Sequence, residues 1–276
     1  MNFEADTLIK TLFESFPGSI FMAHTALTQL RSNEYLSPAG LLNTKTILFC
    51  HRHLNHLYQL IEYLASEPEL PGTFKTSSFD SENLLTEITS EFTKTISGYS
   101  LATVSCCSKL KKPHPVQINK SKFETVILNL LYCCLKTTDL SDADKPKLNL
   151  SVGETAKNIV FHIRSNSLGD NSEFITRFLS EPDFCKTDIY SQDAVLAASL
   201  EIASRFVRES EGRLTYKVLK SGCRFDLTLP KFPRTPSKSL NDVRIFIPKT
   251  KIYEETFAEL IFLKLANSEK TEVLLP

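Results

Sequence analysis

Two short patterns place chemistry-bearing side chains one helical turn apart. In His24-Thr25-Ala26-Leu27-Thr28-Gln29-Leu30 the imidazole of His24 and the hydroxyl of Thr28 are four residues apart, so on a helix both lie on one face. In the stretch from Gln117 to Thr138, Asn129 and Cys133 have the same spacing. A carboxamide oxygen is a hard ligand that suits Mg²⁺, whereas a thiol is soft and does not. A third cluster is Cys50-His51-Arg52-His53-Leu54-Asn55-His56. His53 and His56 are one turn apart and could share an ion, but no carboxylate lies at a helpful local spacing, and a solvated helix face is the plainer reading. Cys106-Cys107 and Cys133-Cys134 are adjacent pairs, not C-x-x-C ligand pairs, and read as small buried apolar residues; no metal is expected. Lys109 to Lys112 reads as a solvated loop, and the chain has neither a Gly-rich Walker loop nor a G-x-S-x-G elbow.

The elements that must carry these residues are legible in outline. Ile20, Ala23, Leu27 and Leu30 recur at helical spacing and predict a helix from Ser19 to about Asn33. Met1 to Pro17 reads as a short extra helix. Ser37 at the cap and Pro38 in the first turn start a second helix, whose Leu41, Leu48, Leu54, Leu57, Ile61 and Leu64 form a near-heptad stripe. Pro68 and Pro71-Gly72 end it. Two amphipathic helices cannot bury both stripes alone, and pairing with a second copy as a four-helix bundle is the simplest solution. From Thr73 the pattern alternates: strand Thr73 to Phe79, helix Ser81 to Ser97, strand Leu101 to Cys106, and the helix around Asn129. Strands near Leu148 to Val152 and Asn158 to Arg164, a helix from Asp193 to Ser210, and strands Arg213 to Leu219 and Arg224 to Leu229 follow. This order suggests an α+β two-layer sandwich. Lys231 to Ser239 reads as a linker, and Asp242 to Pro276 as strand, helix, strand.

The 276 residues carry no net charge, so nothing points to nucleic acid, and the longest nearly apolar run, Phe123 to Leu135, is too short and polar to span a bilayer. No charged-then-apolar signal opens the sequence, and the seven cysteines read as reduced thiols in a cytoplasm.

The run Asn129-Leu130-Leu131, with Lys136 and Thr138, resembles the N box of histidine-kinase ATPase domains, N-L-L-x-N-A-x-K-x-T. The second asparagine, the magnesium ligand of that family, is Cys133 here. His24, Thr28 and Leu30 match three positions of the family's phosphoacceptor box, H-E-x-x-T-P-L, while Thr25 and Gln29 replace its acid and its proline. The first glycine box aligns with Ile163 to Asp170. Asn166 and Gly169 survive there, whereas the adenine-accepting aspartate is Ser165 and the first glycine is Ser167. The second aligns with Ala197-Ala198-Ser199, where alanine and serine replace glycines that let backbone amides approach phosphates.

The resemblance implies a helical hairpin forming a dimeric four-helix bundle over residues 1–67, then a sandwich of histidine-kinase ATPase type over 68–232, and an extension over 233–276. It implies a homodimer with a response regulator's receiver domain as partner, and no nucleotide cofactor. On this likeness the chain would be a phosphotransferase, with His24 taking a phosphoryl group from a phospho-aspartate and Thr28 shaping the contact. Its alternative is a non-catalytic pseudokinase scaffold that binds a partner.

Overall fold

The computed structural model describes residues 3–32, 38–66, 77–96, 99, 101–108, 115–136, 145–169, 171–181, 193–231 and 249–264. Two long helices open the chain, α1 (Phe3–Ser32) and α2 (Pro38–Ala65). The expected break between an extra helix and the His24 helix is absent: α1 runs unbroken through Pro17, which gives up one backbone hydrogen bond within it.

The sandwich follows as β1 (Ser77–Asp80), α3 (Ser81–Ile96), β2 (Thr103–Ser108), β3 (Pro115–Ile118), α4 (Lys120–Lys136), β4 (Lys147–Glu154) and β5 (Asn158–Ser165). It continues with α5 (Ser172–Ser180), α6 (Ala194–Glu209), β6 (Arg213–Leu219) and β7 (Gly222–Pro230). Strands β2-β4-β5-β7-β6 form one sheet, with β2 and β4 parallel and every other pairing antiparallel; β1 and β3 make a separate two-stranded ribbon. The short β3 and α5 are two elements that hydrophobic periodicity does not announce.

Three helices start where an acidic or amide side chain takes up orphan backbone N–H groups. Asp80 Oδ1 accepts from the amides of Glu82 and Asn83, Asn119 Oδ1 from that of Lys122, and Asp193 Oδ1 from those of Val195 and Leu196. The β6–β7 turn needs glycine. Gly222 has φ +98°, and a side chain there would collide with the Ser165 carbonyl oxygen, 2.0 Å from the ideal Cβ position.

After the sandwich comes a helix, α7 (Lys249–Thr256), continued by a helical stretch over 258–264. The strands expected on either side of it lie outside the described residues. This helix is part of the main core. Tyr253, Phe257, Leu260 and Ile261 share one apolar cluster with Leu12 of α1, with Phe49, Leu57, Leu60, Ile61 and Leu64 of α2, and with the inner face of the sandwich. Phe257 meets Phe92 of α3 edge-on at 5.1 Å. Much of the α2 stripe is thus buried within the chain itself, against α6 and the C-terminal helix, while Leu48 remains 44% exposed.

Candidate functional site

His24 sits on the exposed side of α1. Ile20 and Phe21, four and three residues before it, are 55% and 71% exposed, so the imidazole emerges from an apolar patch. Thr25, in the place of the family's acid, donates its hydroxyl to the Phe21 carbonyl at 2.9 Å and is turned back onto its own helix. The side chain of Thr28 lies outside the described residues.

The positions that resemble an ATP site divide into two groups. Asn129 is buried on α4; its Nδ2 donates to the Thr125 carbonyl at 2.9 Å, and its Oδ1 has no hydrogen-bond partner among the described residues. Cys133, one turn on, is wholly enclosed, and burial pushes its thiol well above the usual range. It faces Asp193, the cap of α6, and Cys223 of β7. Ser165, also wholly buried, pairs with Cys223 across β5 and β7 and accepts a hydrogen bond from the Ser167 amide at 3.2 Å. Ala197 and Ser199 lie inside α6 with no exposure, the Ala197 amide donating to the Asp193 carbonyl at 3.0 Å. Cys133, Ser165 and the start of α6 therefore meet around Cys223 and Asp193, in packed core.

Asn166 and Gly169 stay outside it. Asn166 is exposed and accepts from the Lys147 amide at 2.6 Å, tying the end of β5 to the start of β4. Gly169 accepts from the Ser172 amide at 3.2 Å at the start of α5. Among the described residues, no group of three or more His, Cys, Asp or Glu side chains is placed to hold a metal ion.

The sequence reading missed the polar layer between α2, α4 and the C-terminal helix. Lys136 Nζ lies 2.5 Å from Glu259 and 3.2 Å from Asp193, and the Tyr132 hydroxyl donates to Glu259 at 2.5 Å. Burial alone would drive Lys136 toward neutrality, but the two carboxylates outweigh it and hold the ammonium above its ordinary value. Burial also opposes ionisation of Glu259, and Lys136 overrides it. His56 stacks edge-on against Tyr132 at 5.8 Å, beside Asn129, and burial lowers its imidazole to about 3. Further along, Arg52 pairs with Glu254 at 2.5 Å, and Asn55 and Gln59 donate to Glu255 at 2.9 and 2.6 Å. Tyr253 donates to Glu124 of α4 at 2.8 Å. From α6, the buried Arg205 donates to the Tyr63 and Ser66 carbonyls at 3.0 and 2.6 Å, capping α2, with Glu209 behind it at 3.1 Å. The sequence signal for this layer is the trio Glu254, Glu255 and Glu259 interleaved with Tyr253, Phe257, Leu260 and Ile261 on one helix.

No protein-family model matches the chain, and no curated protein does. Solved structures do match. Histidine kinase ThkA in complex with response regulator protein TrrA superposes with a TM-score of 0.56 at 13% identity, over 79% of this chain and 59% of that one. Histidine kinase AdeS of Acinetobacter baumannii gives 0.52 at 13%, over 77% of this chain and 95% of that one. Full-length ShkA in complex with AMPPNP gives 0.52 at 13%, over 84% of this chain and 47% of that one, so the chain spans about half the length of ShkA. Among the described residues no helix is long and apolar enough to cross a membrane. The helical hairpin, the mixed sheet and its helix layer together have the α+β fold of histidine kinases.

Proposed function

We propose that this protein is a histidine phosphotransferase of two-component signalling, working in the cytoplasm without ATP. His24 receives a phosphoryl group from, or returns it to, the aspartate of a response regulator's receiver domain. The observation that carries the reading is a contrast in exposure. His24 stands open on α1, while Asn129, Cys133, Ser165, Ala197 and Ser199 have at most 2% of their surface accessible. A chain that keeps an accessible imidazole and fills its nucleotide positions with packed side chains suits phosphate exchange with a partner better than phosphate transfer from ATP. Thr25, turned back onto α1, offers no acid to assist transfer from a nucleotide.

On this reading residues 1–67 form the phosphotransfer hairpin, 68–232 a degenerate ATPase-like domain and 233–276 a C-terminal extension, whose helix over 249–264 packs against both. The exposed Phe13, Ile20, Phe21 and Met22 of α1, with Leu48 and Tyr58 of α2, favour a hairpin that pairs with a second copy. ThkA, whose structure includes a response regulator, supplies the precedent for the partner class. The same exposed aromatic patch would serve a non-catalytic scaffold, with His24 inert. Incubation with phosphorylated receiver domains from the same genome, followed by detection of acid-labile phosphate on this chain and on His24→Ala, separates the two. Uptake that depends on His24 supports the relay. Tight binding without uptake leaves the scaffold.

A further inference from the structure

Two thiols meet where α4 lies on the large sheet. Phe123, near the start of α4, packs on Phe161 of β5 with ring centroids 4.8 Å apart. Three helical turns further on, Cys134 returns to that same sheet-facing side of α4. Along β5 the strand advances from Phe161 to Ser165, whose register partner on β7 is Cys223. Helix and sheet thus bring residues 134 and 223 together from the two layers, and their sulfurs are in hydrogen-bond contact, with Cys134 donating. Both thiols are reduced and at most 1% exposed.

The two are not equivalent. The hydrogen bond from Cys134 lowers the Cys223 thiol below its ordinary value against the effect of burial, and the Tyr216 hydroxyl of β6 adds to it. Cys134 is raised, by its bond to Cys223 first and by burial second. One sulfur is therefore disposed to ionise and the other keeps its proton. The thiolate is the nucleophile of sulfur chemistry, and a thiol in contact with it can resolve the product. Cys223 also has the better access. It follows Gly222 at the β6–β7 turn, and its sulfur lies 3.8 Å from the carbonyl of Ser167, in the partly exposed stretch after β5. Cys133, beside Cys134 in sequence, is kept protonated by burial and by Asp193.

We propose that Cys134 and Cys223 are a redox-active dithiol, which a hydroperoxide closes to a disulfide that latches α4 to β7. The Cys223 thiolate attacks one peroxide oxygen and the O–O bond breaks. The far oxygen leaves with the electron pair and takes a proton, and Cys223 becomes a sulfenic acid. The Cys134 sulfur then attacks the Cys223 sulfur. The S–S bond forms, and the departing hydroxide takes the Cys134 proton and leaves as water. Two thiols are oxidised and one peroxide is reduced; with hydrogen peroxide the other product is two waters. The sulfurs are already in contact, so a bond about 2 Å long needs side-chain rotation and no refolding of helix or strand. The nearly closed setting selects a small oxidant, and hydrogen peroxide is little larger than water. In a reducing compartment such a bond is transient and serves as a signal. The pair lies apart from His24 and does not depend on the relay.

The test is treatment of the full native chain with hydrogen peroxide, alkylation after unfolding without reductant, and peptide mapping by mass spectrometry. A bond between the α4 peptide and the peptide carrying Cys223 is expected, and dithiothreitol should reverse it. Cys133→Ala should keep that bond and Cys134→Ala should lose it, which separates the two adjacent cysteines of α4. The oxidised chain should melt at a higher temperature than the reduced one, because the bond closes a long loop in the unfolded chain. The proposal is overturned if peroxide leaves both thiols open to alkylation, if Cys223 proceeds to a sulfinic acid instead, or if the link persists in Cys134→Ala. Should Cys134→Ala fail to fold, Cys133→Ala decides. Cys134 is then the sole cysteine left on α4, and a map without a link from it to Cys223 overturns the proposal.

Discussion

The carboxylate of Glu259 closes on the ammonium of Lys136 at 2.5 Å, joining the C-terminal helix to α4 at the last turn of the helix that carries Asn129 and Cys133. Asp193 shares the same ammonium from the cap of α6. Glu259→Ala would therefore strand the Tyr132 hydroxyl and leave Lys136 with one partner instead of two. Both side chains of the Lys136–Glu259 pair keep some solvent contact, at 18% and 28% exposure, so the expected loss is about 1–3 kcal/mol, below the figure for a fully buried pair. Urea melts with circular dichroism would measure it. A change within about 0.5 kcal/mol, typical of an inert surface site, would mean that the C-terminal helix is not held here.

The same layer sets an acid dependence. His56 is lowered in the folded chain from 6.5 to about 3, by burial first. A depressed folded value means the unfolded chain binds the extra proton, so this stability is full above pH 6.5 and is lost as pH falls toward 3. Glu259, held below its ordinary 4.5, adds to the loss in the acid limb, again because the unfolded chain protonates first. His56→Leu should flatten the stability profile between those limits. An unchanged slope in chemical melts from pH 7 to pH 4 would show that His56 is solvated in solution.

ATP should not bind at physiological concentration. Cys133, Ser165 and Ala197 replace a magnesium ligand, an adenine acceptor and a phosphate-loop glycine in the resemblance, and all three are wholly buried. Each missing polar contact is worth about 1–3 kcal/mol, and three together, about 3–9 kcal/mol, are comparable to the roughly 4–6 kcal/mol of a millimolar to tens-of-micromolar site. Titration calorimetry with magnesium is the measurement, and a dissociation constant tighter than about 1 mM refutes the expectation.

Much of this fold was legible because its strands and helices repeat at clean periods. Arg213 to Leu219 was placed to the residue, and the helix Asp193 to Ser210 is α6 with its two caps. What escaped was long-range. A heptad-like stripe says that Leu57, Ile61 and Leu64 want apolar cover, but not whose; the chain supplies it from α6, about 140 residues on, and from the C-terminal helix, about 200 residues on. Whether a second copy also pairs with the hairpin is a matter for the outward face. The Ser165–Cys223 pair was invisible for the same reason: strand register, not spacing, brings those residues together.

Two substitutions separate the inward and outward faces of the hairpin. Leu57 is wholly buried within the chain, and a buried leucine contributes roughly 1.5–3 kcal/mol, so Leu57→Asp should unfold or loosen the hairpin. Phe21, at 71% exposure, contributes little to the fold of one copy, so Phe21→Asp should keep the melting profile while shifting any dimer toward monomer. Light scattering across a concentration series reads both. A monomeric unmodified chain would remove the bundle.

The relay itself turns on His24. Its ring is exposed on α1, and a substitution at such a site usually changes stability by no more than about 0.5 kcal/mol. His24→Ala should therefore abolish phosphate uptake from a phosphorylated receiver domain while leaving the thermal midpoint and the oligomeric state in place. Thr28→Ala should leave uptake and change the rate at which phosphate is lost to water, since the resemblance gives that hydroxyl a part in the contact and not in the bond that forms. Phe21→Asp adds a third reading. With Phe21 one turn before His24, a negative charge there would repel the acidic phospho-aspartate site and reduce the apolar contact, slowing uptake by about tenfold or more without removing the acceptor. If His24→Ala labels from the receiver domain as fast as the unmodified chain, the relay through His24 is wrong, and the patch around it is a binding face alone.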